Sequence, residues 1–329
     1  TGWDVAANWD VCLVPPDDGV PEAIIPTGLA NYPVLASAVD INNLIVESGA
    51  SVDVAGQSLT LTVISNEGTI RAQGDETVSI TNGFDTDSGA VVYYGAAAYG
   101  TLPFGLSYND LSILATDGAA GTASWTTAGL TVVDGALTIG DDAGDSVTLD
   151  GGIDGGGGTG ATLAGTIATT DQPLTLGAVT LGGNATLDSN ATATNSANVS
   201  LAAVTGGTNT LTIETGNGVA NADVSSTSVS GVTTLTLRNI GGTAAFTGDV
   251  SVTTLSVDNT VVNASFTGAT GTIANAVAFT NTGTLALGQA GGTLSFTGGV
   301  NTTGVGGVVT IAGTIQTTDT QMDIGAVTL

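Results

Sequence analysis

One segment of this chain is written twice. Ala164–Leu181 reads AGTIATTDQPLTLGAVTL and Ala312–Leu329 reads AGTIQTTDTQMDIGAVTL, with twelve of eighteen positions identical at an offset of 148 residues. Internal repetition fixes the class of architecture before any other feature, because each repeat must bury its apolar side against a neighbouring copy. Between and around the copies lie short alternating runs. Leu44-Ile-Val46, Val52-Asp-Val54 and Leu59-Thr-Leu61 are separated by glycine-containing turns about seven to eight residues apart. Strands this short, at this spacing, describe one face of a coil after another. The expected fold is all-β: a right-handed parallel β-helix, or β-solenoid.

The coil length is read from recurring motifs. Leu211-Thr-Ile213, Leu235-Thr-Leu237, Leu255-Ser-Val257 and Leu285-Ala-Leu287 follow one another at spacings of 24, 20 and 30, and Phe-Thr-Gly recurs at Phe246, Phe266 and Phe296 at spacings of 20 and 30. A coil of about 20–24 residues with occasional longer loops accounts for these, and makes the 148-residue unit about seven coils. Aligned phenylalanines are expected to stack in the core, with threonine ladders on the wet faces. The second copy ends at Leu329, where the first continues as Gly182-Gly-Asn. The expectation is a longer array truncated at the C-terminus.

Three regions are distinguished. Residues 1–37 hold Trp3, Trp9, Cys12 and five prolines, Pro15, Pro16, Pro21, Pro26 and Pro33. Rings that plug an open core and residues that cannot donate to a further strand suit an N-terminal cap. Residues 38–158 form an acidic β-solenoid part, and residues 159–329 a Gly/Thr-rich repeat part. The boundary falls at the glycine run Gly155–Gly158, read as a joint or a wide turn. The single Cys12 excludes an internal disulfide framework. No basic and apolar leader opens the chain, and no run of about 18 apolar residues is present for a membrane span.

The charge balance narrows the partners. Two arginines, Arg71 and Arg238, no lysine, no histidine and 29 acids give a net charge of −27. That field repels nucleic acid and anionic lipid. It attracts divalent cations, and calcium, whose ligands are oxygens, is the cofactor to expect. The candidate ligands are Asp141, Asp142 and Asp145 in Asp-Asp-Ala-Gly-Asp, then Asp85 and Asp87, then Asp17 and Asp18. None has the spacing of an EF-hand loop, and solvated turn carboxylates are the competing reading. Enzymatic chemistry has little to work with: without His or Lys, no nucleophile–base pair of the usual kind is available. A carboxylate-only glycosidase is the residual enzymatic option. Five N-x-S/T sequons, at Asn184, Asn190, Asn198, Asn263 and Asn301, are mostly the product of a Thr/Ser-rich composition. Ice binding demands a flat, regular Thr-x-Thr face, and the Thr60-Leu-Thr62 and Thr210-Leu-Thr212 pairs do not keep one register.

The series Asn8-Trp9, Val14-Pro15, Asp17-Asp18, Ile25-Pro26-Thr-Gly28, Ser48-Gly-Ala50, Gly56-Gln-Ser-Leu-Thr60 and Asn66-Glu-Gly-Thr-Ile70 resembles the opening of bacterial secreted β-helix surface proteins. These are of the filamentous-haemagglutinin, autotransporter-passenger and adhesin kinds. Val91-Val-Tyr-Tyr-Gly95 with Tyr108-Asn-Asp-Leu-Ser-Ile113, and Gly129-Leu-Thr-Val-Val-Asp-Gly-Ala-Leu-Thr-Ile139, continue the likeness, which covers residues 1–150. The resemblance implies an extracellular or cell-surface location, a structural or adhesive role and no catalytic residue. The expected function is a structural segment that forms a filament, stalk, sheath or surface layer, with self-association into fibres. The alternative is an adhesin passenger that binds a surface glycan or protein.

Overall fold

The computed structural model describes residues 2–5, 8, 14–191, 195–216 and 221–328; Trp9 and Cys12 lie outside the described residues. Every element is a β-strand, 33 in all among the described residues, and every strand pairing is parallel. Most strands are two to eight residues long and alternate buried and exposed positions. Thr69–Ala72 and Ala136–Ile139 are typical. A side chain every second residue faces inward, and the turn after three or four residues sends the chain to the next face. The result is a β-solenoid of about 14 turns.

Three ladders make the three faces. On the first, one inward position is occupied in thirteen successive coils by Val52, Ile70, Val91, Leu111, Leu137, Ala161, Val179, Val204, Val229, Val250, Gly271, Leu294 and Ile315. Steps along this ladder run from 18 to 26 residues and average about 22. Twelve steps at the inter-strand spacing give a length of roughly 58 Å. The second face stacks Val147, Ile167, Leu187, Ile213, Leu237 and Val257. The third stacks Ile153, Leu174, Val199, Val224, Ala244, Ala264, Leu285 and Val309. These positions are nearly all buried and belong to one continuous hydrophobic core.

The stacking crosses the glycine run without a break: Leu137 pairs with Ala161 and Ile153 with Leu174 on either side of it. At Gly158 a Cβ would stand 2.1 Å from the Gly135 carbonyl oxygen, so the run is packed against the preceding coil. Within the expected cap, Glu22–Ile25 is itself a rung, paired with Asn43–Val46, and Trp3 is buried.

The repeats do not keep to one face. Ile167 lies on the second face, whereas its copy Ile315 lies on the first. The 148-residue offset therefore spans six coils and two further faces, and the copies are rotated by one face. Their local conformations agree all the same. Gly165 and Gly313 have φ of 78° and 72°, and Asp171 and Asp319 have 56° and 52°. In both, the threonine two residues before that aspartate (Thr169, Thr317) donates its hydroxyl to the carbonyl three residues on.

The spacing of 30 has the same origin. Leu211, Leu235 and Leu255 are register partners on the second face, but Leu285 is on the third. The interval is one coil plus one face, and no longer loop is involved. The phenylalanines follow suit. Phe246 and Phe266 are register partners with rings stacked at 5.2 Å and 4°. Phe296 sits on the first face, opposite Ile273. It is reached through Phe279, whose ring is 6.0 Å from Phe266 and 6.1 Å from Phe296. The expected single stack is thus a four-ring path that crosses the core.

Candidate functional site

Outward positions of the first face carry a hydroxyl in nine successive coils: Ser112, Thr138, Thr162, Thr180, Thr205, Ser230, Ser251, Thr272 and Ser295. No charge interrupts that rank. The second face carries Thr122, Ser146, Thr166, Thr186, Thr212, Thr236 and Ser256 in the same way. There a parallel rank of Thr210, Thr234 and Thr254 makes a paired Thr-x-Thr or Thr-x-Ser array for three coils. The threonine ladders on wet faces are present, and solvation falls to hydroxyls where other folds use Glu and Lys.

The acids gather at the corners, where they receive peptide N–H groups. Asp110 accepts from Ala136 at 2.6 Å, Asp223 from Thr243 at 2.7 Å, and Asp249 from the N–H and hydroxyl of Thr270, each at 2.6 Å. The partner lies 20 to 26 residues on, which is one coil. Asparagines serve equally: Asn184 accepts from Thr210, Asn198 from Asp223 and Asn263 from Thr284. These side chains staple successive coils at the turn, where the ladder bonds stop and the peptide would otherwise face only water. The two donors from Thr270 hold the Asp249 carboxyl below its usual range. Its staple is therefore complete above the ordinary aspartate pKa and is lost as pH falls through the lowered value.

Of the seven candidate calcium ligands, Asp17, Asp85, Asp141 and Asp145 join neighbouring coils in this way, whereas Asp18, Asp87 and Asp142 bond within their own turns. Asp145 is buried, and its two oxygens accept from Gly121, Asp141 and Asp142 at 2.9 to 3.1 Å. Asp141 accepts from Gly118 at 2.8 Å and Asp142 from Gly144 at 2.7 Å. Burial pushes the Asp141 carboxyl up, with the negative charges of Asp145 and Asp117 adding to it. Asp85 accepts from Asn66 at 2.8 Å and from Asp87, and burial raises its pKa too. Asp87 takes the Ser88 hydroxyl, Asp17 the Asp40 N–H and Asp18 the Val20 N–H. The structure brings Asp141, Asp142 and Asp145 together in one turn and Asp85 and Asp87 in another, with Asp17 and Asp18 apart from both. These oxygens are directed at peptide and hydroxyl hydrogens. Among the described residues no three His, Cys, Asp or Glu side chains form one group that could hold a metal ion. Truncating Asp145 to alanine is expected to leave three N–H groups to water and to cost about 2 kcal/mol. Denaturant titration checks it, and an unchanged midpoint would show that the turn does not depend on this carboxylate.

Both arginines are engaged. Arg71 bonds Asp117 at 2.6 Å and lies 4.9 Å over the Tyr94 ring, while the Tyr94 hydroxyl donates to Asp53 at 2.9 Å. Burial, aided by Asp53, pushes the Tyr94 phenol up to about 12, so it remains a donor at any physiological pH. Asp53, Arg71 and Tyr94 lie in successive coils and Asp117 follows in the next, after the strand Asp110–Ile113, so one clasp ties four turns together. Arg238 makes a two-pronged bond to Glu214 at 2.9 and 3.1 Å. Sequence reading gave neither arginine a partner, because the pairing spans 46 and 24 residues and depends on coil length.

One cavity of about 840 Å³ opens at the N-terminal end, lined by Trp3, Pro15, Pro21, Ile24, Leu29 and Pro33 among others. No helix among the described residues is long and apolar enough to cross a membrane.

Fold and surface together define a parallel β-solenoid with hydroxyl-lined faces and stapled corners. No protein-family model, no curated protein and no solved structure matches this chain.

Proposed function

We propose that this chain is a rigid structural segment of a secreted, repetitive surface protein, contributing length to a filament, stalk, sheath or surface layer. The observation that carries the reading is the unbroken thirteen-rung ladder from Val52 to Ile315. Each coil adds a fixed rise and bonds both neighbours, which is the property a spacer needs. The likeness of residues 1–150 to bacterial secreted β-helix proteins and the net charge of −27 support an extracellular setting. The role is mechanical and non-enzymatic. Among the described residues, Glu22–Ile25 pairs only with Val39–Val46 and forms an edge of its sheet. Unpaired edges of this kind are templates for pairing with another chain, so head-to-tail fibres are the expected assembly.

Electron microscopy of the purified protein, with and without millimolar calcium, tests this. Regular fibres or extended rods are expected, and compact globules would overturn the reading. Fibres that require calcium would give the corner carboxylates a bridging role. Isolated rods that bind a glycan or protein target would establish the adhesin alternative.

A further inference from the structure

The two arginines are the only residues in the chain at which a trypsin-class protease can cut, since that class requires Arg or Lys before the scissile bond and there is no lysine. We propose that both bonds are closed in the folded solenoid, making it refractory to this whole class of protease while every coil stays paired. The inference does not depend on the role proposed above.

Two independent barriers act at each bond. The first is backbone pairing. A protease draws several residues into its cleft as an extended, unpaired strand, so cutting inside a sheet requires local opening first. Arg71 lies within the strand Thr69–Ala72, which is bonded to Ser51–Asp53 on one side and Ala90–Tyr93 on the other. At Arg238 the peptide N–H donates to Ile213, the Asn239 N–H donates to the Thr260 hydroxyl, and the Asn239 carbonyl accepts from Thr215. The second barrier is the side chain. Each guanidinium must enter the specificity pocket of the enzyme, yet Arg71 is held by Asp117 and Tyr94, and Arg238 by both oxygens of Glu214. Opening either site breaks pairing with the coils above and below, and cleavage then tracks the small population of the open form.

The experiment is digestion of the full chain by trypsin, folded and after denaturation, read by intact mass. The unfolded chain should yield three pieces, 1–71, 72–238 and 239–329. The folded chain should be cut at least about 100-fold more slowly at both bonds. A30R, in the exposed bend Leu29-Ala30-Asn31, places an arginine where neither residue flanking the scissile bond makes a hydrogen bond among the described residues. It should be cut at residue 30 while residues 71 and 238 stay intact, which shows that the enzyme reaches open turns. Cleavage of the folded chain at Arg71 or Arg238 at a rate close to that of the unfolded chain would overturn the proposal.

Discussion

Replacing Val229 by aspartate is expected to cut the melting of this molecule into two transitions. Val229 is fully buried at the ninth rung of the first-face ladder, between Val204 and Val250. A carboxylate there has no cation within the core and no spare N–H, because the parallel ladder has used them. The local cost should exceed about 4 kcal/mol. In a globular domain that loss would lower one cooperative transition. In a solenoid, stability is a sum over coils and their contacts with neighbours, so a broken rung uncouples the two arms. Hydrogen exchange should show protection falling in Thr210–Glu214 and Val250–Val257 while Thr69–Ala72 and Val309–Ile311 keep theirs. A single melting transition, shifted as a whole, would refute nearest-neighbour behaviour.

Gly140→Ala is expected to be strongly damaging for so small a substitution. Gly140 has φ of 70°, and a Cβ there would stand 2.0 Å from the Ala164 carbonyl oxygen of the next coil. The left-handed conformation alone costs a side chain about 1 kcal/mol. The contact with a backbone oxygen of the adjoining rung cannot be relieved without shifting the ladder, which should bring the total to about 3 kcal/mol. Gly28 supplies the comparison: its φ is 79°, but nothing lies within 4 Å of its Cβ position. Gly28→Ala should therefore lose only the conformational part. Equal losses in denaturant midpoint for the two variants would show that the approach of coils at Gly140 is not tight.

The fold class was legible because it is carried by local alternation. Runs such as Val52-Asp-Val54 and Leu211-Thr-Ile213 place apolar residues on one side of a short strand, and closely spaced turns leave little choice but to coil. The corner staples were not legible. Asp223 and Thr243, or Asn263 and Thr284, are ordinary residues until the coil length at that point is known, and the steps vary from 18 to 26. The aspartate clusters show in the sequence only as charge, and what faces each carboxylate is visible only in the structure. In the structure, Asp145 faces three N–H groups of its own turn and of the neighbouring coil. Phe296 misled for another reason. Phe-Thr-Gly closes a strand at each of the three places, and its recurrence reports a strand end, not a face.

That last point bears on how such a chain lengthens. A duplication of 148 residues, the shift from Leu255 to Leu285 and the shift from Phe266 to Phe296 all land one face out of phase, yet the strands and turns remain intact. The three corners are interchangeable to the backbone, so the brick of this masonry is a side of the prism, about seven residues, and not a full course. Copying errors that insert or delete whole sides preserve the alternation of inward and outward residues. What they change is bearing: everything downstream swings by a third of a turn about the axis. Length and compass direction are thus tuned by the same mutational event. Thr166 and Thr314, identical in sequence, look out from different sides of the rod.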